Sequence, residues 1–298
     1  MFSKNLTYTV NMYKKVHKTV KSEIEAGIII LLLTAGVFFL PNHTIDPWDL
    51  FNPHRFGVIF LLIACVEFAG HMAILFLGHR MGMAMIGFFG GFISSTVIFI
   101  TLPKVYKNHR YLLCPAIAAA TLATIGMLIE FLIILYNLSE NLFHIFLAPV
   151  VTMIMIGATS VILLRQGHIK ELISFEKMEP LNLKSSLKLA LWLFSMLIII
   201  AMTIRYLGPK SGAVVSFLAG LFELHSVTVA TTTLYLQKTL SEPNAILLLS
   251  LALLSAFVSK FIILWIMAKN RFALFTSAYL LAMLGGGVLG FISHQFLQ

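Results

Sequence analysis

Residues 243–268 read PNAILLLSLALLSAFVSKFIILWIMA, a run in which Lys260 is the only charged residue. A helix needs about 20 apolar residues to cross a hydrocarbon core about 30 Å thick. Similar runs recur along the chain, and 59% of its 298 residues are hydrophobic while 11% are charged. Uninterrupted runs are typical of membrane helices and not of the alternating strands of a membrane barrel. The sequence therefore predicts an all-α, polytopic membrane helix bundle.

The bundle is predicted to contain about nine spans, separated by proline, glycine, asparagine or charged residues. Their approximate ranges are 24–40, 55–77, 81–102, 111–137, 142–165, 186–207, 211–236, 243–268 and 271–297. Residues 1–23 form a basic amphipathic segment, and residues 166–180 an interfacial linker. The amphipathic segment is expected to bind either the membrane surface or a membrane or cytoplasmic protein partner.

Lysine and arginine outnumber aspartate and glutamate by 21 to 12. The basic residues cluster in the N-terminal segment and in connecting loops, where they contact anionic headgroups or fix orientation. The N-terminal lysines favour a cytoplasmic N-terminus. Nucleic acid is not an expected partner, because no basic surface is interleaved with aromatic residues. The expected partners are the lipid bilayer and a small ion or solute.

Motifs of several enzyme classes do not occur in the sequence. There is no phosphate loop, HExxH or GxSxG, and the histidines lack the spacing of a tetrahedral zinc site, so the metal question stays open. Cys65 and Cys114 lie in separate apolar runs and are interpreted as core residues. The sequence predicts a protein that is not an enzyme and uses no cofactor.

Two distant parts of the chain resemble each other. EFLI at residues 130–133 recurs as KFII at 260–263, an offset of 260 − 130 = 130 residues. LG at 77–78 recurs as LG at 207–208 at the same offset. One shared offset across several spans predicts an internal duplication.

The duplication divides the chain into two membrane units. Residues 50–165 form the first unit and residues 181–298 the second, with 24–40 as an added first span. Four spans per unit is an even number, so the two units are expected to insert in the same orientation, as parallel repeats.

Small and polar residues follow one another in the third and seventh predicted spans. With one residue deleted, the repeat aligns Gly91 with Gly220 and Ser94 with Glu223. Glycine permits close helix approach or an unwound stretch, and the polar side chains would line the resulting gap. The alternative is close packing with hydroxyls bonded to their own backbone. The residues concerned are Gly90, Gly91, Ser94, Ser95, Thr96, Gly220, Glu223, His225 and Thr228.

Ionisable side chains inside a bilayer cost roughly 2.5–3.5 kcal/mol on insertion scales, so they are candidates for function. Glu130, Glu223, His225 and Lys260 stand near the middle of their spans, and Glu67 with His71 form a lesser pair. Because Glu130 and Lys260 occupy equivalent positions in the repeat, they are predicted to form an ion pair across the bundle.

The segments around GFFGGFISST (87–96) and FLAGLFELHSVTVATT (217–232) resemble an uncharacterised membrane domain that commonly follows an MgtC/SapB domain in bacterial proteins. The resemblance covers roughly residues 45–297, with a single predicted span where the MgtC/SapB domain would stand. That family tends to read Gly-Leu-x-Asp-x-Asp where this chain reads GLFELH at 220–225, and tends to be basic at Glu130, whereas Lys260 fits. The resemblance implies a multi-pass protein of the bacterial inner membrane.

Three functions are compatible with these features. The leading hypothesis is secondary transport or ion conduction through a site between the third and seventh spans. There Glu223 and His225 would bind a cation or proton, Ser94, Ser95 and Thr96 would supply oxygen ligands, and Glu130 with Lys260 would balance charge. The alternatives are a regulatory protein that binds a partner through residues 1–23 and an intramembrane lipid enzyme.

Overall fold

A computed structural model describes residues 25–45, 52–77, 82–164 and 183–297. Regular structure in these ranges is helical throughout. The predicted amphipathic segment 1–23 and the predicted linker 166–180 lie outside the described residues, so both stay predictions. The all-α fold class is confirmed for the described part of the chain.

Ten α-helices follow one another in the described part of the chain. In the described residues they are α1 Glu25–Phe39, α2 Pro53–Leu77, α3 Met83–Asn108, α4 Leu113–Leu138, α5 Glu140–Leu163, α6 Leu183–Leu207, α7 Pro209–Gly220, α8 Leu224–Leu236, α9 Glu242–Met267 and α10 Arg271–Leu297, with a short 3-10 turn, Arg110–Leu112, before α4. Ser139 caps α5 by accepting a hydrogen bond from the Leu142 N–H, and Pro243 stands in the first turn of α9.

Six helices are long and apolar enough to cross a membrane: α2, α3, α4, α5, α9 and α10. The apolar stretches found in the other predicted spans, 24–40, 186–207 and 211–236, are shorter. The multi-pass membrane class is therefore confirmed, while the number nine is not. α4 is the most deeply buried of the six and forms the centre of the bundle.

α3 turns back on itself at Ser94. Its first half runs in the same direction as α4, because Gly87 lies against Ala119 and Gly91 against Ala123. A straight continuation would carry Asn108 to the far end of α4. Only four residues, 109–112, join it to the start of α4, and they are too few to return across the bundle. α3 is therefore a helical hairpin.

Both ends of the α3 hairpin lie at the end of the bundle where α4 and α10 begin, which we name the lower end. The ring of Tyr106, near the end of α3, lies 5.7 Å from the ring of Phe272, near the start of α10, measured between centroids. The opposite end, where α4 ends and α5 and α9 begin, is the upper end. The tip at Ser94 lies between the two.

α7 and α8 form a second hairpin, from the upper end. A Cβ at Gly212 would lie 3.6 Å from Leu248, and one at Gly220 would meet Ala252, so α7 runs alongside α9 toward its middle. α8 then returns. The hydroxyl of Tyr235, near the end of α8, lies 3.5 Å from a carboxylate oxygen of Glu242, the first residue of α9.

The two hairpins enter the bundle from opposite ends, which corrects two predictions. The third and seventh apolar runs do not cross the bundle. α4 starts at the lower end, whereas α9 starts at the upper end, where Asn141 donates a hydrogen bond to Glu242 over 2.6 Å. The matched segments 130–133 and 260–263 thus lie on antiparallel helices, so the predicted parallel orientation of the two units is wrong. A hairpin of two half-helices has the same length and hydropathy as one membrane span. Counting apolar runs in the sequence therefore cannot distinguish a hairpin from a span.

Candidate functional site

The tips of both hairpins have the same backbone conformation. Ser94 has φ −170° and ψ 103°, and Glu223 has φ −156° and ψ 113°, so each residue is extended between two helical segments. Each also caps the helix that follows. The Val97 N–H donates to the Ser94 hydroxyl over 3.3 Å. The tips are therefore the starts of two half-helices, at the two residues that the predicted repeat aligns, Ser94 and Glu223.

The cap at Glu223 is a carboxylate. It accepts a hydrogen bond from the His225 N–H over 3.1 Å and a second from the Ser226 N–H. A carboxylate at this position also interacts favourably with the positive end of the α8 dipole. Glu223 is thus fixed at the start of α8 by its own backbone neighbours.

Glycine lets each tip approach a neighbouring helix. A Cβ at Gly91 would collide with the backbone of Ala123 in α4, and one at Gly220 would collide with Ser255 and Ala252 in α9. Gly90 is buried in the same turn as Gly91. Each hairpin therefore packs its glycine face on the helix that follows it in the chain.

His225 lies between two carboxylates. Its Nε2 is 3.5 Å from an Oε atom of Glu130 in α4, and its Nδ1 is 3.2 Å from an Oε atom of Glu223. The Glu130 side chain is 1% exposed, while those of His225 and Glu223 are partly buried. Neither Glu130 oxygen accepts a hydrogen bond from the described residues. The result is a row of three ionisable groups, Glu130, His225 and Glu223, in which the imidazole lies within 3.5 Å of a carboxylate oxygen on each side. We name this row the relay.

A cavity of about 130 Å³ lies between the hairpin tips beside the relay. Ser94, Ser95 and Thr96 line one side and Glu223 with His225 the other, so the structure brings these five predicted residues together. Glu67 of α2 also lines it. The sequence analysis paired Glu67 only with His71. The predicted repeat does not indicate that Glu67 lines this cavity.

Lys260 and Glu130 do not form the predicted ion pair. The Lys260 ammonium donates to Met127 Sδ over 3.0 Å and to the Ala256 carbonyl over 3.2 Å, and it lies 5.7 Å from the Phe99 ring centre. Glu130 faces His225 instead. The prediction fails because the Lys260 ammonium reaches α4 at Met127, about one turn before Glu130, while the Glu130 carboxylate faces α8. Lys260 is 2% exposed and still lines the cavity.

Thr228, the remaining predicted residue, points elsewhere. Its hydroxyl donates to the Leu224 carbonyl over 2.9 Å within α8, and it does not line the cavity. Among the described residues, no group of three or more His, Cys, Asp or Glu side chains is arranged to hold a metal ion. The chemistry available at the tips is therefore that of carboxylates, one imidazole, one ammonium and hydroxyls.

Residues 61–268 match a family described as Domain of unknown function (DUF4010). This segment is more than half of the chain. The chain belongs to the DUF4010 family. No curated protein and no solved structure matches it.

The DUF4010 segment contains the whole candidate site. Both hairpins, the relay, Glu67 and Lys260 lie inside residues 61–268, whereas α1 and α10 lie outside. The predicted resemblance to an uncharacterised polytopic membrane domain is thereby confirmed, and the association with MgtC/SapB stays a prediction. The DUF4010 unit is thus the part of the chain that builds and surrounds the hairpin tips.

Proposed function

We propose that this protein is a secondary transporter whose coupling ion is a proton, carried by the relay between the hairpin tips. The observation that carries the proposal is the burial of Glu130–His225–Glu223 where two broken helices meet. Rows of ionisable side chains inside a membrane are typical of proton pathways in pumps and transporters. An imidazole can accept a proton at one ring nitrogen and release one from the other. The alternative of ion conduction through the same site differs in rate and coupling, not in the residues used.

A proton suits the site better than a metal ion. Three carboxylates surround the cavity and relay, at Glu67, Glu130 and Glu223, but the described residues contain no metal-binding group. With His225 and Lys260 both protonated, two positive charges stand against three negative ones. One further proton on a carboxylate would balance the site.

The arrangement of helices supports alternating access. We treat the two units as inverted repeats, in which α2, the α3 hairpin, α4 and α5 correspond to α6, the α7–α8 hairpin, α9 and α10. Two breaks at aligned residues, Ser94 and Glu223, favour this correspondence. The hairpins also exchange neighbours, since α8 packs on α4 and α3 packs on α9. Inverted repeats with discontinuous helices near the midplane are a known transporter architecture.

We also propose a location and an orientation. The resemblance to bacterial membrane domains favours the inner membrane, and the N-terminal lysines favour a cytoplasmic N-terminus. The end of α1 meets the start of α2, where the His54 N–H donates to the Pro41 carbonyl over 3.3 Å. If α1 crosses the membrane, the upper end then faces the periplasm.

Proton movement in reconstituted vesicles tests the function. Vesicles containing a pH-sensitive dye are given an inward gradient of each of a panel of inorganic cations, inorganic anions and amino acids. At least one gradient is expected to drive a pH change in the parent that is lost in Glu130→Gln and His225→Gln. If no gradient moves protons in the parent, the proposal is wrong, and partner binding through residues 1–23 becomes the better hypothesis. Turnover of a lipid that depended on His225 would instead favour the enzyme reading.

A further inference from the structure

A second and larger cavity opens at the upper end of the bundle, between α2, α4 and α8. Its volume is about 800 Å³. Near its mouth lie Asn52, His54, Arg55 and Asn137, and deeper along α2 it reaches Cys65. We name this cavity the vestibule. Its lining is mainly apolar but also includes amides, two hydroxyls and basic side chains, so water can occupy it.

The vestibule and the charged site share the same three helices. Along α2, the vestibule ends at Cys65 and the smaller cavity begins at Glu67. Along α8, it ends at Thr233, and His225 lies about two turns further down the helix. Asn137 and Glu130 stand in the same relation on α4. The vestibule therefore lies directly above the relay.

One apolar layer lies between the vestibule and the relay on α4 and α8, whereas on α2 the vestibule passes the layer and reaches Cys65. Ile63 of α2, Ile134 of α4 and Val229 of α8 pack together in a single cluster and are only 1%, 1% and 2% exposed. Each stands one helical turn above an ionisable residue of its own helix, which is Glu67, Glu130 and His225 respectively. We name these three residues the apolar layer.

We propose that the vestibule is the water-filled entrance for the proton and that the apolar layer is its closed gate. This inference rests on the proposed function, because it names the route to the same relay. An apolar constriction between two polar spaces blocks ions and protons by excluding water, and a small displacement of one wall rewets it. α8 is the element suited to move, since it is a half-helix joined to α7 through the break at Glu223.

A lipid chain is the competing occupant of the vestibule. It would suit the apolar part of the lining but would place the Arg55 guanidinium at the mouth against hydrocarbon, where a charged group loses its hydration. Asn137 and Thr233 do not decide the question, because each donates to a backbone carbonyl of its own helix. The vestibule also points toward three carboxylates, which no acyl chain would stabilise. Water is therefore the occupant that the lining favours.

Thiol labelling in lipid nanodiscs, where both faces are open to the reagent, tests the entrance. Cys65 lines the vestibule, and Cys114 is the second cysteine of the chain. In a Cys114→Ala background, a charged methanethiosulfonate that does not enter lipid is expected to label Cys65, because thiol reaction requires a thiolate in water. Protection of Cys65 from the charged reagent in the folded protein, with labelling restored after denaturation, would overturn the proposal and indicate a lipid-filled groove.

The gate is tested below the apolar layer. Ser259 lines the smaller cavity, so Ser259→Cys, with both native cysteines replaced by alanine, reports water there. The charged reagent is expected to leave this cysteine unlabelled until Val229→Ala is added. Val227→Ala is the matched control, because Val227 is a fully buried valine of α8 that belongs to the main core and not to the layer.

Labelling of the cysteine at position 259 with the layer intact would overturn the gate. Equal labelling with Val227→Ala and Val229→Ala would also overturn it. If the cysteine at position 259 stays unlabelled in Val229→Ala, Ile63→Ala is tested in the same background. A cysteine that stays unlabelled in both variants also overturns the gate. Labelling requires no turnover. A failure of the gate is therefore distinguishable from a failure of proton coupling, which the vesicle assay reports.

Discussion

The close approach of α3 to α4 makes Gly91→Ala the sharpest test of the hairpin. In an unobstructed helix, replacing glycine by alanine stabilises a protein by about 0.4–1 kcal/mol. At Gly91 the new Cβ would collide with the carbonyl, Cα and carbonyl carbon of Ala123, which is fully buried in α4. Backbone atoms cannot rotate away as a side chain does. The two helices must separate, and overpacking of this kind costs about 1–3 kcal/mol.

Gly285→Ala is the matched control, because a Cβ at this position in α10 meets nothing within 4 Å. Thermal unfolding of both variants in one detergent measures the difference. We expect the unfolding temperature to fall for Gly91→Ala and to stay level or rise for Gly285→Ala. The net gap is about 1–3 kcal/mol in the free energy of unfolding. Equal shifts in the two variants would refute the packing of the first half of α3 along α4.

Three further predictions concern the polar residues. Glu223→Ala removes two hydrogen bonds at the start of α8 and should destabilise the protein more than Ser94→Ala, which removes one; a helix cap usually contributes about 0.5–2 kcal/mol. An equal fall of the unfolding temperature in the two variants would contradict this. Lys260→Met removes a buried ammonium that forms no ion pair with the described residues, so the unfolding temperature should hold or rise while proton-coupled transport is lost. A large fall would indicate a missed ion pair. In double-mutant cycles on thermal stability, Glu130 should couple more strongly to His225 than to Lys260. The reverse order would support the Glu130–Lys260 ion pair predicted from the sequence.

Much of the helix layout follows from the sequence, because apolar runs must be long enough to cross lipid and polar residues must interrupt them. The alignment of Ser94 with Glu223 paired the two residues at which the helices break, but an unwound stretch was only one of the alternatives for these segments, and the hairpins were not predicted. The direction of the chain after the break was not predictable. Hydropathy is the same for a half-helix that continues and for one that returns.

The partners of the buried charges depend on which face each helix presents, and that is set by packing. Glycine at 91 and 220 brings the tips close to α4 and α9, and this closeness decides that Glu130 meets His225. No spacing rule relates residues 130 and 225. Glu67 joins the site for the same reason, because α2 lies along α3 through Gly70, against Phe89 and Phe92.

The central claim is that a proton binds within the membrane at the relay. The most direct measurement is the transient charge displacement that follows a pH jump on a solid-supported membrane carrying the protein, which needs no knowledge of the transported solute. His144 and Glu140 form the matched control, since they are an exposed histidine–carboxylate pair 3.7 Å apart on α5. We predict a transient current in the parent and in His144→Gln, and none in His225→Gln or Glu130→Gln. No current in the parent, or a current unchanged by the two relay substitutions, would contradict the claim.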